Sequence, residues 1–229
     1  MIKEILNKLQ TWTEKNKVDT ICITGETPFY LFTNRMSEIK NVKLVCINEK
    51  ESSIMFKLIA SECLEKKYTN NKKLTLDYNG INIEMMQSHL CNYMKNEEVK
   101  NYLKKNNFNN HLDKCFIDQY ISCNTLLYLP KTEEIKDINN VEKDISNKVI
   151  RTCLPEDLIF KYSNKVFFVV LYYAIKYNFS LSPDIIQYFN SDEIKHRISK
   201  ERFNDYINTL IQVDKERTIS LLKELKYLE

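Results

Sequence analysis

The chain has 229 residues, of which 43% are hydrophobic and 11% aromatic, so it can fill one large core or two small ones and is not a disordered protein. Its formal net charge of +3 makes the surface mildly basic, which is compatible with an RNA partner but far below the charge of a dedicated polycation. With only two glycines, Gly25 and Gly80, the chain cannot build the glycine-rich phosphate loops of P-loop or Rossmann proteins.

The cysteine and histidine patterns argue against a metal centre. The seven cysteines are odd in number and widely spaced, and most have apolar neighbours, which is typical of reduced core thiols. No Cys-x-x-Cys pair occurs and the three histidines are scattered, so we expect no structural metal. No apolar run is long enough for a membrane span, and the N-terminal residues lack a signal-peptide core. We therefore expect an intracellular protein without a membrane partner, in the cytoplasm or in an organelle such as a mitochondrion or plastid.

The first elements in chain order alternate between helix and strand. Apolar residues at i, i+3, i+4 and i+7 predict amphipathic helices over residues 2–15 and 53–66. Short β-branched runs predict strands over residues 19–24 and 42–47. Two further strands flank Asn79-Gly80, a strong hairpin signal, and are predicted over residues 73–78 and 81–86.

The second half of the chain changes character. A helix is predicted over residues 97–105, and a strand-like apolar stretch over 115–129 ends the first domain. Pro130 and the charged stretch 131–144 are interpreted as a linker into a wholly helical region. Its helices are predicted over residues 165–177, 183–189, 200–212 and 215–228. The sequence thus predicts an α+β protein with an α/β domain over residues 1–129 and a helical domain over 130–229.

A set of motifs in the helical half resembles a known family. Ile150-Arg151-Thr152, Phe160, Asn178-Phe179 and the segment Ile198 to Arg202 have the order and spacing of motifs in the neck domain of class II CCA-adding enzymes and bacterial-type poly(A) polymerases. The order of elements upstream is similar to that of the family's head domain. The resemblance implies a nucleotidyltransferase-like α/β head followed by an all-helical neck. It covers nearly the whole chain, and we expect a degenerate member without the family's body and tail.

The residues that carry chemistry in this family are replaced. The resemblance implies that an Asp-x-Asp pair would hold Mg²⁺, but its positions fall at Lys43 and Val45, which cannot coordinate the ion. The family's Gly-Gly turn falls at Thr24-Gly25, and of its nucleotide-contacting strand, over residues 113–120, Phe116 alone clearly remains. The base-reading Glu-Asp-x-x-Arg falls on residues 162–166 and is lost. We therefore predict no catalytic residue, no metal site and a nucleotide-binding remnant of Thr24, Gly25 and Phe116.

Three hypotheses follow. The favoured one is a catalytically inactive, cofactor-free member that serves as an RNA-binding or scaffolding subunit of a ribonucleoprotein such as a ribosome. Its partners would be tRNA, rRNA or A-rich RNA and a larger protein or ribonucleoprotein assembly. An active transferase is an alternative, in which Glu49 and Glu51 with Asp77 or Glu84 hold Mg²⁺. A protein-interaction module without RNA is another, docking through the apolar segment 167–173, which is otherwise expected to be a buried helix.

Lysines interleaved with tyrosines are the candidates for RNA contact, because they combine phosphate binding with base stacking. An ordinary lysine-rich surface is the alternative interpretation, since acidic residues such as Glu62 and Glu97 lie close by in the sequence. The RNA-binding candidates are Lys66, Lys67, Lys72, Lys73, Lys104, Lys105, Lys161 and Lys165.

Overall fold

A computed structural model describes residues 1–46, 48–62, 65–68, 73–87, 96–108, 119–162, 165–191 and 197–228. The chain forms two compact units, Met1–Gln119 with Asn124–Asn139, and Tyr120–Cys123 with Asn140–Glu229. The first unit combines helices with a large sheet and the second is mainly helical, so the predicted α+β class is confirmed. Among the described helices, none has the length and apolar character needed to cross a lipid bilayer.

The first unit is built on a seven-stranded sheet. Its strands are β1 (Ile21–Thr24), β2 (Asn41–Cys46), β3 (Glu65–Tyr68), β4 (Lys73–Tyr78), β5 (Ile81–Gln87), β6 (Leu127–Leu129) and β7 (Glu134–Lys136). Their order in space is β3-β4-β5-β2-β1-β6-β7. Every neighbouring pair is antiparallel except β2 and β5, which are parallel and are joined by a crossover that contains a helix and two strands.

The predicted hairpin is confirmed. Strands β4 and β5 pair from Tyr78↔Ile81 outward, and the two residues between them have left-handed backbone angles, with φ of 53° at Asn79 and 81° at Gly80. Two consecutive positive φ angles match the right-handed twist of the strands that such a turn joins. Asp77 fixes the turn, because its Oδ1 accepts a hydrogen bond of 3.0 Å from the Gly80 N–H.

Helices cover one face of this sheet. Strand β2 alternates accordingly: Val42 and Leu44 are fully buried while Lys43, between them, is half-buried. The first helix is tied to the hairpin, since the Tyr78 hydroxyl donates a 2.7 Å hydrogen bond to Glu4. The described helices of this unit are α1 (Ile2–Lys15), α2 (Glu26–Phe32), α3 (Glu49–Glu62) and α4 (Glu97–Lys105), with a short 3₁₀ turn at Met36–Glu38.

From the sequence, the charged stretch after Pro130 is interpreted as a linker. The structure shows that this interpretation is wrong for part of the stretch. Strand β7 lies within it and pairs with β6, with Tyr128 opposite Ile135 and a turn that places Glu133 at φ 56°. Strand β7 is at the edge of the sheet, where charged side chains are common because one side of the strand faces solvent. Of the predicted strand over residues 115–129, the structure describes a strand only at Leu127–Leu129, and residues 115–118 lie outside the described part.

The second unit consists of helices with one short β ladder. Its described helices are α5 (Val141–Asn147), α6 (Glu156–Tyr162), α7 (Lys165–Tyr177), α8 (Pro183–Phe189), α9 (Lys200–Val213) and α10 (Lys215–Glu224). The four helices predicted here are confirmed, although the last ends at Glu224 because Lys226 takes a left-handed φ of 57°. Strands β8 (Val149–Ile150) and β9 (Ser180–Leu181) pair in parallel. Side chains of Ser182, Ser199 and Asp214 cap the helices that follow them.

Aromatic rings fill the core of the second unit. The fully buried Phe167 ring lies 4.6 Å from Phe189 and 5.6 Å from Tyr227, and the Tyr227 hydroxyl donates a 2.9 Å hydrogen bond to the Phe189 carbonyl. These contacts confirm that one face of the segment 167–173 is buried within its own unit. Its other face is half-exposed and consists of Phe168, Val169, Tyr172 and Tyr173.

Candidate functional site

The register of the sheet brings three residues singled out in the sequence, Thr24, Lys43 and Glu84, into one row. Thr24 of β1 lies opposite Lys43 of β2, which lies opposite Glu84 of β5, which in turn faces Thr75 of β4. Directly opposed residues share a face, so these four side chains form one line across the sheet. We call them the Lys43 row. Thr24 is 1% exposed, and the other three are half-buried.

A turn at Gly25 directly follows Thr24, the residue that β1 contributes to the row. Gly25 has φ 78°, a conformation that side-chain-bearing residues rarely adopt. A Cβ atom on Gly25 would lie 3.3 Å from Gln119 Oε1, so the turn also depends on the space that glycine leaves. Gln119 is 7% exposed, and its Nε2 donates a 3.4 Å hydrogen bond to the Thr24 hydroxyl. Thr24, Gly25 and Gln119 thus form a tightly packed polar corner beside Lys43.

Val45 lies two residues after Lys43 on β2 and faces the same side of the sheet. Its surroundings are apolar. It is 6% exposed and packs in an apolar cluster with Cys22 and Leu127, both fully buried. Leu129 and Ile138 pack against the same cluster. Val45 is therefore part of a small apolar core next to the Lys43 row. The sequence did not reveal this core.

In the second unit, the side chains of Arg151 and Thr152 bind nearby carboxylates. The Arg151 guanidinium donates from Nε to both carboxylate oxygens of Asp144, at 2.7 and 2.9 Å, and this hydrogen bonding raises the Arg151 pKa. Thr152 Oγ1 lies 2.6 Å from the Leu154 carbonyl and 2.9 Å from Glu156 Oε1. Burial is the main cause of a raised pKa at Glu156. Sequence reasoning missed Asp144 and Glu156 because nothing in their local sequence marks them as partners of this segment.

Solved structures of known proteins share this architecture. A tRNA-processing enzyme in an apo form superposes with a TM-score of 0.75 at 15% identity, over 100% of this chain and 57% of its own. A CCA-adding enzyme in complex with CTP gives 0.73 at 10% identity, over 99% and 52%. A tRNA nucleotidyltransferase in complex with a primer tRNA and an incoming ATP analogue gives 0.73 at 15% identity, over 96% and 61%.

The chain has a tRNA nucleotidyltransferase fold. No protein-family model matches it, and no curated protein sequence does. The chain spans between 52% and 61% of the length of these three solved proteins.

Magnesium does not fit the residues that this nucleotidyltransferase fold presents on β2. Mg²⁺ requires oxygen ligands, and the β2 face offers an ammonium at Lys43 and an apolar side chain at Val45. Within the part of the chain that the structure describes, no three His, Cys, Asp or Glu side chains come together as a metal-binding group.

The surrogate carboxylates, Glu49 and Glu51 with Asp77 or Glu84, do not form a group of three within the described residues either. Glu51 fixes the start of β1, because its Oε2 accepts hydrogen bonds from the Thr20 N–H and hydroxyl at 2.9 and 2.7 Å. Glu49 and Glu51 follow the C-terminal end of β2, whereas Asp77 lies at the opposite end, where Asn82 pairs with both Asp77 and Asn41. The length of β2, about 16 Å at the rise of an extended strand, separates the two groups.

The sequence resemblance predicted that Val166 replaces a base-reading arginine of the family. Val166 is fully buried at the start of α7, so its side chain is not accessible to a ligand in this structure. The motif residues Phe160 and Phe179 are buried too, and their carbonyls accept hydrogen bonds from Arg197 at 3.1 Å and from Arg217 at 3.0 Å. The motifs that carry the resemblance therefore support the structure of the second unit.

The candidate RNA-binding lysines are distributed over both units. Lys104 and Lys105 are exposed in the last turn of α4, and Lys161 and Lys165 are exposed at the end of α6 and the start of α7. Lys66, Lys67 and Lys73 lie on strands β3 and β4, with their side chains outside the described part of the structure. Lys72 and Phe116 also lie outside it.

Proposed function

We propose that the chain is a catalytically inactive protein of the tRNA nucleotidyltransferase fold that binds RNA as a subunit of a larger ribonucleoprotein. The observation that carries this proposal is strand β2, which presents Lys43 and a buried, apolar Val45 at the two positions that the sequence resemblance assigns to the family's metal-binding acids. Nucleotidyl transfer depends on metal-stabilised charge at the attacking and leaving oxygens, so a chain without carboxylates at these two β2 positions would lack the metal ligands that the reaction needs.

RNA is supported as the partner by the fold and by the exposed lysines. One solved protein of this fold is described as complexed with a primer tRNA. The exposed lysine pairs on α4 and at the α6–α7 junction provide cations of the kind that contact phosphates. Purification of the native protein tests the subunit role, because a subunit of a ribonucleoprotein should co-purify with RNA and with other proteins.

The test is an extension assay on the purified full chain. A tRNA that lacks its 3′ end and an oligo(A) primer are each incubated with all four nucleoside triphosphates and Mg²⁺. We expect no extension, together with salt-sensitive binding of the same RNAs measured by fluorescence anisotropy. Metal-dependent extension that is lost in Glu84→Gln or Glu49→Gln would overturn the inactive assignment and favour the enzyme with surrogate acids.

A protein-interaction module without RNA is the second candidate, and the half-exposed face of α7 favours it. There Phe168 stacks on Tyr206 at 4.8 Å, and Lys176 lies over the Tyr172 ring at 5.4 Å. Apolar docking on such a face is insensitive to salt, whereas phosphate contacts weaken steeply as salt rises. A native purification that yields a protein partner resistant to high salt and to ribonuclease would favour this candidate.

A further inference from the structure

The Lys43 row places a cation where this fold's relatives are expected to place metal-binding acids. Lys43 is half-buried between Thr24 and Glu84, at the end of the sheet face that carries the Gly25 turn. No ion pair joins it to a residue that the structure describes, and Glu84 is itself engaged with another group. A partly desolvated ammonium favours an anionic partner more strongly than one in bulk water does.

We propose that Lys43 substitutes for the metal, so that this face binds a phosphate group directly and without a divalent cation. The inference rests on the proposed function, because it assumes a chain that binds nucleotides or RNA without transferring a nucleotide. A lysine ammonium is a compact charge with three donors, which suits a phosphate oxygen.

The polar corner beside Lys43 gives the site a fixed wall. The Gln119 amide donates to the Thr24 hydroxyl, and both side chains are more than nine-tenths buried, so Thr24 and Gln119 form a fixed polar border next to the position of Lys43. On the other side, Glu84 lies opposite Lys43, and a carboxylate there is unfavourable to an anion, so the ligand is expected on the Thr24 side of the row. The Val45 cluster surrounds the next position on this face of β2 with side chains that offer no oxygen ligand for Mg²⁺.

With this arrangement, Mg²⁺ should weaken phosphate binding, which is the reverse of its usual effect. In a metal-dependent site, Mg²⁺ strengthens triphosphate binding because it bridges carboxylates and phosphates. Here Mg²⁺ would only neutralise phosphate charge that Lys43 needs. Binding should therefore be tighter in EDTA than in millimolar Mg²⁺.

The experiment measures binding of inorganic triphosphate, of ATP and of a 5′-phosphorylated RNA oligonucleotide to the full chain by calorimetry, in EDTA and in Mg²⁺. We expect binding in EDTA that Mg²⁺ weakens several-fold. Lys43→Met should weaken it by about tenfold to a hundredfold, the range of one charge-assisted hydrogen bond, and Lys43→Arg should largely preserve it. Lys40→Met is the matched control, because it removes an exposed lysine just before the same strand and should leave binding unchanged.

The three probes identify the source of the phosphate. Binding of all three with similar affinity assigns the site to phosphate itself, and tighter binding of ATP or of the RNA assigns it to a nucleotide or to an RNA end. Binding that requires Mg²⁺, equal binding by wild type and Lys43→Met, or no binding in EDTA would overturn the inference. None of these results depends on the extension assay, so the failure of the proposed function is detected separately. A melting temperature of Lys43→Met close to that of wild type shows that the variant is folded.

Discussion

Lys43 and Val45 face the same side of the sheet, yet a carboxylate would have different consequences at each. Val45 touches Cys22 and Leu127, so an acid there would lie among apolar groups. Lys43 is half-exposed in a polar row, where a charge is already accommodated. A carboxylate at position 45 would therefore be buried among apolar groups, whereas one at position 43 would stay in contact with water.

We expect Val45→Asp to destabilise the protein by about 2–4 kcal/mol, because it buries a carboxylate without a partner. Lys43→Asp should cost less than about 1 kcal/mol, since its side chain reaches water. Urea denaturation of the two single variants measures the difference. Val45→Ala serves as the control for lost packing, and a Val45→Asp that is as stable as Lys43→Asp would show that the cluster does not resist charge.

Glu156 gives the second unit a pH dependence. Burial raises its pKa above the ordinary value of 4.5, so the folded state binds the proton more tightly than the unfolded state. Stability from this group is therefore fully present below pH 4.5 and falls as pH rises through the folded pKa. Glu156→Gln keeps a partner for Thr152 and removes the charge. We expect the variant to be more stable than wild type near neutral pH and equally stable at about pH 4, as measured by denaturation at both pH values.

At the scale of elements, the Gly25 turn is more constrained than the Gly80 turn. Both glycines have positive φ, but only Gly25 has a neighbour within reach of an added Cβ. Gly80→Ala should cost about 1 kcal/mol from backbone strain alone. Gly25→Ala should cost about 2–3 kcal/mol, because the clash with Gln119 adds to the strain.

A double variant separates the two causes at Gly25. Gln119→Ala removes the crowded side chain, so Gly25→Ala should be less costly in that background than in wild type. Thermal unfolding of the four proteins of this cycle measures the coupling. Purely additive effects would mean that Gln119 does not restrict the turn.

Local sequence patterns were sufficient for most helices and for the hairpin. The helices at Ile2–Lys15, Glu97–Lys105 and Lys165–Tyr177 depend on the pattern of apolar residues within each segment, and the second also on its Asn96 cap, all of which a single sequence contains. Strand β7 was missed because its pairing with β6 is not encoded in its charged composition. The positions of Lys43 and Val45 were predictable, but the Val45 cluster was not, since Cys22 and Leu127 are brought together only by the sheet.

At the scale of the whole molecule, the distribution of lysines predicts how RNA binding responds to salt. Each lysine that contacts a phosphate steepens the dependence of log K on log salt concentration by about one unit. Lys104→Met with Lys105→Met, or Lys161→Met with Lys165→Met, should therefore reduce the slope by up to about 2. Lys3→Met with Lys17→Met removes two other exposed lysines and is the matched control. Equal slopes in all four proteins would remove these pairs from the RNA-binding surface.

The central strands of the sheet come from distant parts of the chain, and this constrains when the first unit can form during synthesis. Strand β1 is flanked on one side by β2 and on the other by β6, where Ile23 pairs with Tyr128. Pairings between such distant residues form slowly, because a long loop must close before any contact compensates for the lost chain entropy. The sheet of the first unit therefore stays incomplete until residue 136 has emerged from the ribosome. Until then, the growing chain exposes unpaired strand edges.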